Sequence, residues 1–291
     1  MTVLAASEMI LNERGAVYHL NLRPEELAPL VITVGDPDRV KEVSAHFDRV
    51  EWQTAHREFV THTGYIGPQR ISVVSTGIGT DNIDIVLTEL DALVNIDLEE
   101  RRVKKQHTAL KIIRMGTCGG LQPDIPTDGL VVSVFGIGMD NLLHFYRRET
   151  PPEEQRLLDA FTTHVSAGNA VHPYIAGADS GLLERFGEKD FIPGITVTCP
   201  GFYGPQGRRI RAVPAFPDLQ EQLCSFVHEG RRITNFEMET AGIYGMGRLL
   251  GHACLSISTV VANRSSGTFS ADGRKAVKRM IERSLAVLPG I

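Results

Sequence analysis

The sequence predicts a three-layer α/β fold in which helices cover a largely central sheet. Short apolar runs rich in β-branched residues are typical of buried strands, and the longer segments between them carry apolar residues at helical spacing. The two kinds of segment alternate along all 291 residues, without an internal repeat, a low-complexity tract or a convincing linker. We therefore expect a single domain over residues 1–291.

The individual elements follow from these patterns in chain order. Predicted strands cover residues 30–34, 71–75, 111–115, 130–135, 195–198 and 253–261. Predicted helices cover residues 83–93, 238–250 and 276–288. In the first helix, the residues that share one face are Ile83, Val86, Leu87, Leu90 and Leu93.

A highly charged segment, NIDLEERRVKKQH at residues 95–107, lies between a predicted helix and a predicted strand. The simpler interpretation is a solvated extension of the helix, and the alternative is an interaction surface.

Composition and charge exclude several classes of protein. Hydrophobic residues make up 42 % and charged residues 22 %, which is ordinary for a globular protein and excludes disordered and fibrous classes. The 30 basic and 35 acidic residues give a net charge of −5, which disfavours a general nucleic-acid binder. The chain has no apolar run of the roughly 18 residues that a membrane helix needs. We expect neither a nucleic-acid nor a membrane partner.

The cysteines and the first residues of the chain indicate the cellular compartment of the protein. The four cysteines are scattered without a C-x-x-C pair, so zinc and thioredoxin-type sites are disfavoured and free thiols in a reducing compartment are favoured. The first eleven residues lack a basic region and include Glu8, unlike a secretory signal. We expect a cytoplasmic protein.

The sequence GDPDR at residues 35–39 directly follows the first predicted strand. Gly35 allows the backbone to approach a ligand closely, and Pro37 and Asp38 suit the first turn of a helix, where free N–H groups favour an anion. Arg39 adds a planar cation that suits phosphate or carboxylate. The alternative is an ordinary turn and helix cap with Arg39 on the surface.

The sequence RMGTCGG at residues 114–120 is a second candidate anion site. Arg114 near the end of an apolar strand is costly to bury without a partner, the glycines open the backbone, and Thr117 supplies a hydroxyl. Ligands of open α/β sheets usually bind at the carboxyl ends of strands. An internal ion pair is the alternative for Arg114.

Two further motifs precede this strand. HREF at residues 56–59 is compatible with either a functional Arg57 or an exposed charge cluster. TGIG at residues 76–79 lacks the full G-x-G-x-x-G pattern, so a dinucleotide site is improbable.

The sequence GFYGPQGRR at residues 201–209 combines groups that suit a heterocycle. Phe202 offers a flat stacking face, Gln206 can both donate and accept hydrogen bonds, and Arg208 can donate to a carbonyl. A turn loop rich in Gly and Pro, with an exposed arginine, is the alternative.

The last two motifs lie near the predicted helix at 238–250. In NFEME at residues 235–239, Glu237 and Glu239 could accept hydrogen bonds from a diol, or could simply be favourable at a helix start. VANR at residues 261–264 ends the late strand, and the alternative for Arg264 is a loop position.

In order, the motifs are GDPDR, HREF, STGIG, RMGTCGG, GFYGPQGR, NFEMET and VANR. This set resembles the nucleoside phosphorylase family of the uridine phosphorylase type, over residues 18–288. The resemblance implies an α/β/α fold with a central mixed sheet. It leaves residues 1–17 as an N-terminal extension and residues 95–107 as a charged insertion.

The resemblance also implies roles for individual residues. The phosphate site would be Gly35, Arg39, Arg114 and Thr117, with Arg57 reaching the site of a neighbouring subunit. The ribose site would be Glu237, Met238 and Glu239, with His19 contributed across the subunit interface. The base site would be Phe202, Gln206, Arg208 and Arg264. The residues that act in catalysis would be Arg114, Gln206, Arg208 and Glu239.

The implied reaction is the phosphorolysis of uridine to uracil and ribose 1-phosphate. Phosphate would attack the anomeric carbon in a transition state of oxocarbenium character, so catalysis would consist of positioning and electrostatics. Inorganic phosphate would be a co-substrate, with no organic cofactor and no metal. Members of the family form dimers, which can assemble into hexamers, with shared active sites.

Departures from the family pattern leave alternatives open. Residues 80–82 read TDN, and residues 211–230 diverge. A purine nucleoside phosphorylase or a nucleosidase is the second hypothesis, although residues 259–264 lack the acid that purine members use to assist protonation of the base. A catalytically silent nucleoside-binding protein is the third.

Overall fold

The computed structural model describes residues 3–186 and 190–289. The chain divides into two compact units. The first comprises Met1–Ile113 and Met246–Ala253, and the second comprises Arg114–Gly245 and Cys254–Ile291. Whether these units form the single domain expected from the sequence stays a prediction.

The first unit contains six strands, two α-helices and a 3-10 helix at Pro24–Glu26 among its described residues, besides the parts of elements that continue into the second unit. Its strands are β1 (Leu30–Val34), β2 (Arg49–His56), β3 (Phe59–Ile66), β4 (Gln69–Ser75), β5 (Ile96–Asp97) and β6 (Arg102–Val103). Its helices are α1 (Pro37–Ser44) and α2 (Thr80–Asn95).

The larger strands of this unit neighbour one another in the order β1, β4, β3, β2. β1 and β4 are parallel, so their carboxyl ends lie together, and the other pairs are antiparallel. All five residues of β1 are buried, as its unbroken apolar run predicts. β2 ends the order and is exposed along most of its length. The predicted apolar face of α2 is buried at every one of its five positions.

The second unit contains the remaining elements. Its strands are β7 (Lys111–Gly120), β8 (Leu130–Gly138), β9 (Tyr174–Gly177), β10 (Phe191–Thr198), β11 (Val227–His228), β12 (Arg231–Glu237), β13 (Ala253–Asn263) and β14 (Thr268–Phe269). Its helices are α3 (Pro152–His164), α4 (Gly168–Val171), α5 (Ser180–Phe186), α6 (Leu219–Ser225), α7 (Thr240–Leu250) and α8 (Gly273–Leu285). The first residues of β7 and β13 and the last of α7 belong to the first unit.

The strands of the second unit form a mixed arrangement in the order β11, β12, β10, β8, β13, β7, with β9 paired to β8, β14 paired to β13, and a further pairing between β12 and β7. β12, β10 and β8 run parallel, whereas β13 is antiparallel to β8. An apolar core lies between these strands and the helices α3 and α6, and it includes Phe161, Phe226 and Phe236. β10 and β12 pair in parallel with one shift of register between Ile195 and Thr196, and the carboxyl ends of both strands carry the polar motifs described below.

The structure confirms the α/β fold class with a central mixed sheet, and every predicted strand and helix overlaps an observed one. One interpretation is wrong: residues 95–107 do not extend the preceding helix. α2 ends at Asn95 because the side chain of Asn95 binds the returning chain, accepting from the N–H of Thr108 at 2.7 Å and donating to its carbonyl at 3.1 Å. β5 and β6 then pair as an antiparallel hairpin.

No described helix has the length and apolar character needed to cross a membrane.

Candidate active site

Arg114 lies inside β7, and its side chain is 6 % exposed. Its Nη2 lies 2.5 Å from Oε2 of Glu239 and 3.1 Å from Oε2 of Glu237, and its Nη1 donates to Oγ of Ser258 at 3.0 Å. Burial by itself lowers the pKa of a guanidinium, but the two carboxylates outweigh it and raise the pKa of Arg114 above its ordinary value. Arg114 is therefore a permanent cation in a nearly dry environment.

The observed length of β7 corrects one expectation. The predicted strand ended at residue 115, which placed the following glycines in a loop, but β7 continues to Gly120. The glycine end is strand because it pairs with β12, Gly120 opposite Asn235 and Gly119 opposite Phe236. A Cβ on Gly119 would lie 2.4 Å from the Phe236 ring, so the close strand contact requires glycine there. Thr117, between Arg114 and these glycines, is partly exposed.

Glu237 is the last residue of β12, and hydrogen bonds to neighbouring groups hold its carboxylate in place. Its carboxylate accepts from the hydroxyl of Thr198 at 2.7 Å and from the N–H groups of Glu239 and Thr240 at 3.0 and 2.9 Å. Because Thr240 starts α7, the carboxylate caps the positive end of that helix. Glu237 thus fixes the strand-to-helix turn that carries Met238, which is partly exposed, and Glu239, which is buried.

The loop at residues 201–209 folds around Arg208. Its Nη1 donates to the carbonyl of Phe202 and to Oε1 of Gln206, both at 2.5 Å, and its guanidinium lies 3.7 Å from the centroid of the Phe202 ring. Gln206 is buried, whereas Phe202 is 51 % exposed. The amide of Gln206 and the guanidinium of Arg208 therefore lie side by side, next to the exposed ring of Phe202.

Arg264 joins this loop from the end of β13. Its Nη1 donates to the carbonyl of Gln206 at 3.4 Å, and both Arg264 and Arg208 lie within 6 Å of the Phe236 ring, at 5.9 and 5.8 Å. Burial and then the charge of Arg264 lower the pKa of Arg208, and burial lowers that of Arg264. Two cations therefore converge on Phe236, one residue before Glu237.

The first unit carries the GDPDR motif as its sequence predicts. Asp36 caps α1 by accepting from the N–H of Asp38 at 3.0 Å, and Pro37 is the first helical residue. A Cβ on Gly35 would lie 3.5 Å from the carbonyl oxygen of Gly77, because the ends of the parallel strands β1 and β4 are adjacent. Arg39 is half-buried in the first turn of this helix.

His19 and Arg57 lie close together in the same unit. Nδ1 of His19 is 2.7 Å from Oε1 of Glu89, and the Glu89 carboxylate also accepts the backbone N–H groups of His19 and Leu20. Arg57 is exposed at the turn between β2 and β3, and its guanidinium lies 5.7 Å from the centroid of the Tyr18 ring. Tyr18 also contacts the His19 ring edge to face.

The predicted site residues thus divide between the two units. His19, Gly35, Arg39 and Arg57 belong to the first unit, and the other predicted residues belong to the second. Within the second unit, the structure brings Arg114 to Glu237 and Glu239, and Gln206 to Arg208 and Arg264.

Sequence reasoning missed several residues that hold these groups. Ser258 binds Arg114, Thr198 binds Glu237, and Glu89 binds His19. Phe236 lies beside both Arg208 and Arg264. Ser258, Thr198 and Glu89 are polar residues within apolar runs, which was an available signal because buried polar groups need partners. Phe236 carried no such signal.

One group of three side chains with metal-ligand chemistry occurs within residues 3–186 and 190–289. Potential ligand atoms of Asp91, His107 and His252 lie within 4.8 Å of one another. However, Oδ1 of Asp91 already accepts from the side chain of Asn95 at 2.6 Å, and Nε2 of His107 lies 2.8 Å from the carbonyl oxygen of Leu250. Nε2 of His252, 3.4 Å from Asp91, has no hydrogen-bond partner among the described residues. Because two of the three side chains have partners within the protein, we assign no metal to this group.

The four cysteines are free thiols. Cys118, Cys199 and Cys254 are buried, and burial raises the pKa of each far above its ordinary value. Cys224 is half-buried, and burial raises its pKa as well. None of these four groups is a reactive thiolate at neutral pH.

Known proteins are similar to this chain in sequence and in fold. Residues 29–289 match the model of the phosphorylase superfamily. The chain is 29 % identical to a uridine phosphorylase of Thermococcus kodakarensis, over 97 % of this chain and 90 % of that one, and 31 % identical to a uridine phosphorylase of Treponema pallidum, over 85 % and 83 %.

A solved structure agrees with these matches. A Trypanosoma brucei nucleoside phosphorylase that shows uridine phosphorylase activity superposes with a TM-score of 0.90 and 30 % identity, over 97 % of this chain and all of that one. The family match covers both units and every motif described above except His19. The chain therefore belongs to the phosphorylase superfamily.

Proposed function

We propose that this protein is a pentosyltransferase that cleaves uridine with inorganic phosphate, giving uracil and ribose 1-phosphate. The observation that carries the proposal is the contact between Arg114 and Glu239, which joins a buried cation to a buried carboxylate at 2.5 Å. A cation suits phosphate and a carboxylate suits sugar hydroxyls, so the pair fits a site where both substrates meet. The named activities of the similar proteins support the same substrates.

The chemistry of phosphorolysis fits these groups. As the C–N bond breaks, positive charge develops on the sugar and negative charge on the departing uracil. Arg114, with Thr117, holds the nucleophile in line with the anomeric carbon. Glu239 orients the ribose by accepting from its hydroxyls, and the phosphate charge balances the cationic sugar. The rate gain comes from positioning and from fixed charges rather than from a covalent intermediate.

Uracil is held and stabilised by the loop at residues 201–209. Oε1 of Gln206 is engaged by Arg208, so the amide nitrogen of Gln206 remains the group that donates to a carbonyl of the base. The positive charges of Arg208 and Arg264 stabilise the anion of the leaving group. Phe202 supplies the stacking face, and its exposure fits a residue that is covered when substrate binds.

We further propose a dimer, or a hexamer assembled from dimers, with shared sites. β2 is an eight-residue edge strand that is mostly exposed and carries Trp52, and an exposed edge strand is a surface that a second subunit can cover. His19 and Arg57 lie at the turn that follows β2. There the ring of His56 donates to the carbonyl of His19 at 3.1 Å. Their placement supports a role in the site of the neighbouring subunit.

The proposal includes no organic cofactor, because phosphate itself is the nucleophile. It also includes a cytoplasmic location, which the free thiols support.

The proposal is tested by following uracil release from uridine with and without inorganic phosphate, and by repeating both reactions with inosine. Cleavage of uridine that requires phosphate, with inosine untouched, is the expected result. Cleavage without phosphate would identify a hydrolase and contradict the role of Arg114. Cleavage of inosine alone would identify a purine enzyme, and binding of uridine without turnover would identify a silent nucleoside-binding protein.

A further inference from the structure

The guanidinium of Arg114 is held at two different nitrogens by groups of different chemistry. The carboxylates of Glu237 and Glu239 both contact Nη2, whereas Nη1 donates to the hydroxyl of Ser258. A contact at one nitrogen alone leaves a guanidinium free to swing about that point. The hydroxyl on β13 therefore fixes the plane in which the remaining N–H donors of Arg114 point.

Gly116 shapes the same place from β7. Residues 114 and 116 share one face of the strand, and the Arg114 side chain folds back over Gly116. A Cβ on Gly116 would lie 2.1 Å from Nη1, 2.5 Å from Cζ and 2.7 Å from Nη2 of Arg114. Any side chain at this position would displace the guanidinium from Ser258.

We propose that Ser258 and Gly116 are positioning residues that set the orientation of Arg114 toward phosphate. The inference rests on the proposed function, because it assigns Arg114 to phosphate. Both residues act on one guanidinium, Ser258 by a hydrogen bond and Gly116 by leaving space. Without either, Nη1 loses its hydroxyl partner and the guanidinium turns toward the two carboxylates, which compete with phosphate for its donors.

The experiment compares Ser258→Ala with Ser256→Ala. Ser256 lies two residues earlier on β13, is equally buried, and binds the hydroxyl of Thr240 at 2.8 Å instead of Arg114. We expect Ser258→Ala to raise the KM for phosphate about tenfold, as expected for loss of one hydrogen bond to a charged group, while the KM for uridine stays unchanged. We expect Ser256→Ala to leave the KM for phosphate unchanged. Ser258→Thr keeps the hydroxyl, so its KM for phosphate should lie closer to that of the unmodified protein than the KM of Ser258→Ala does.

Gly116→Ala provides a second, independent variant. We expect it to raise the KM for phosphate in the same way, and we expect the double variant with Ser258→Ala to show less than the product of the two effects, since both act through one guanidinium. Thermal midpoints are measured for all variants.

Two results would overturn the inference. One is a KM for phosphate in Ser258→Ala that matches that of Ser256→Ala. The other is a parallel rise in both KM values together with a fall in the thermal midpoint, which indicates a purely structural role. The unmodified protein is assayed first: uridine cleavage that needs no phosphate would contradict the proposed function itself, whereas the two results above leave that function intact.

Discussion

The two carboxylates that compensate Arg114 differ in their surroundings. Glu237 is engaged by a hydroxyl and two backbone N–H groups in addition to Arg114, and Glu239 accepts from Arg114 at 2.5 Å. Removing the shared cation would leave both carboxylates buried with too little positive charge, which is costly for any folded protein. In the proposed function Arg114 serves both stability and phosphate binding, so experiments have to separate the two.

We predict that Arg114→Ala lowers kcat/KM for phosphate about 100-fold or more, because the variant lacks a charged donor in a dry site. Steady-state kinetics at varied phosphate measures the effect, below the thermal midpoint of the variant. Arg232→Ala is the control, since Arg232 pairs with Asp124 on the surface at 2.6 Å. An unchanged rate and an unchanged KM for phosphate would remove Arg114 from the site.

We predict a pH-dependent contribution to stability from His62. Burial, followed by the charge of Lys41, lowers the pKa of this imidazole below its ordinary 6.5. Between the lowered pKa and 6.5 the unfolded chain binds a proton that the folded chain does not, so the free energy of unfolding falls as the pH drops below 6.5 and is fully retained above it.

The measurement is urea unfolding at about pH 7.5 and about pH 5.5, on either side of the ordinary imidazole pKa. His62→Asn, which retains a polar atom near the hydroxyl of Ser44, should lose less stability between the two pH values than the unmodified protein. His46→Gln, a change at an exposed histidine, should keep the original pH dependence. Equal pH dependence in all three proteins would contradict the prediction.

At the scale of elements, local periodicity predicted those helices and strands that depend on the residues of one segment alone. The strand β1 and the buried face of α2 follow from apolar spacing alone, and the start of α1 follows from the cap Asp36 and from Pro37. The extent of β7 could not be predicted this way. Its glycine end is strand because β12 lies opposite it, and that partner is more than 100 residues away in the sequence.

The candidate site shows the same limit. Motifs located Arg114, Glu239 and the loop at residues 201–209, because these residue types are unusual where they occur. The groups that orient them, such as Ser258 and Glu89, come from distant elements and have ordinary neighbours in the sequence. The exposed strand β2 was missed because its residues alternate weakly and neither face is well buried.

We predict that the turn between β12 and α7 separates a stability role from a binding role. Glu237→Gln should lower the free energy of unfolding by about 1–3 kcal/mol, because the helix cap and part of the compensation for Arg114 weaken. Glu239→Gln should instead raise the KM for uridine and lower kcat with a smaller loss of stability. Urea unfolding and steady-state kinetics on both variants test this. Comparable losses of stability with normal kinetics in Glu239→Gln would contradict the assignment.

At the scale of the whole molecule, shared sites lead to a test by complementation. In the proposed dimer, Arg57→Ala removes a group given to the neighbouring subunit, whereas Glu239→Ala removes one from the subunit's own site. If subunits pair at random after coexpression, half of the dimers are mixed and each has one intact site, so activity should recover to about a quarter of that of the unmodified protein. Mixtures that stay as inactive as the separate variants would contradict shared sites.

The burial of the thiols has a practical consequence for spectroscopy. Maleimide dyes react with thiolates, and at neutral pH the native protein offers almost none, because burial raises the pKa of all four thiols. A cysteine introduced at an exposed position, such as Ser266→Cys, should therefore label selectively in the folded protein while the four native cysteines are kept. Mass spectrometry after brief labelling should find one dye per chain, and the unmodified protein should carry none; several dyes per chain would show that the buried thiols open to solvent. In the proposed dimer, a fluorophore placed in this way would report distances between subunits in solution.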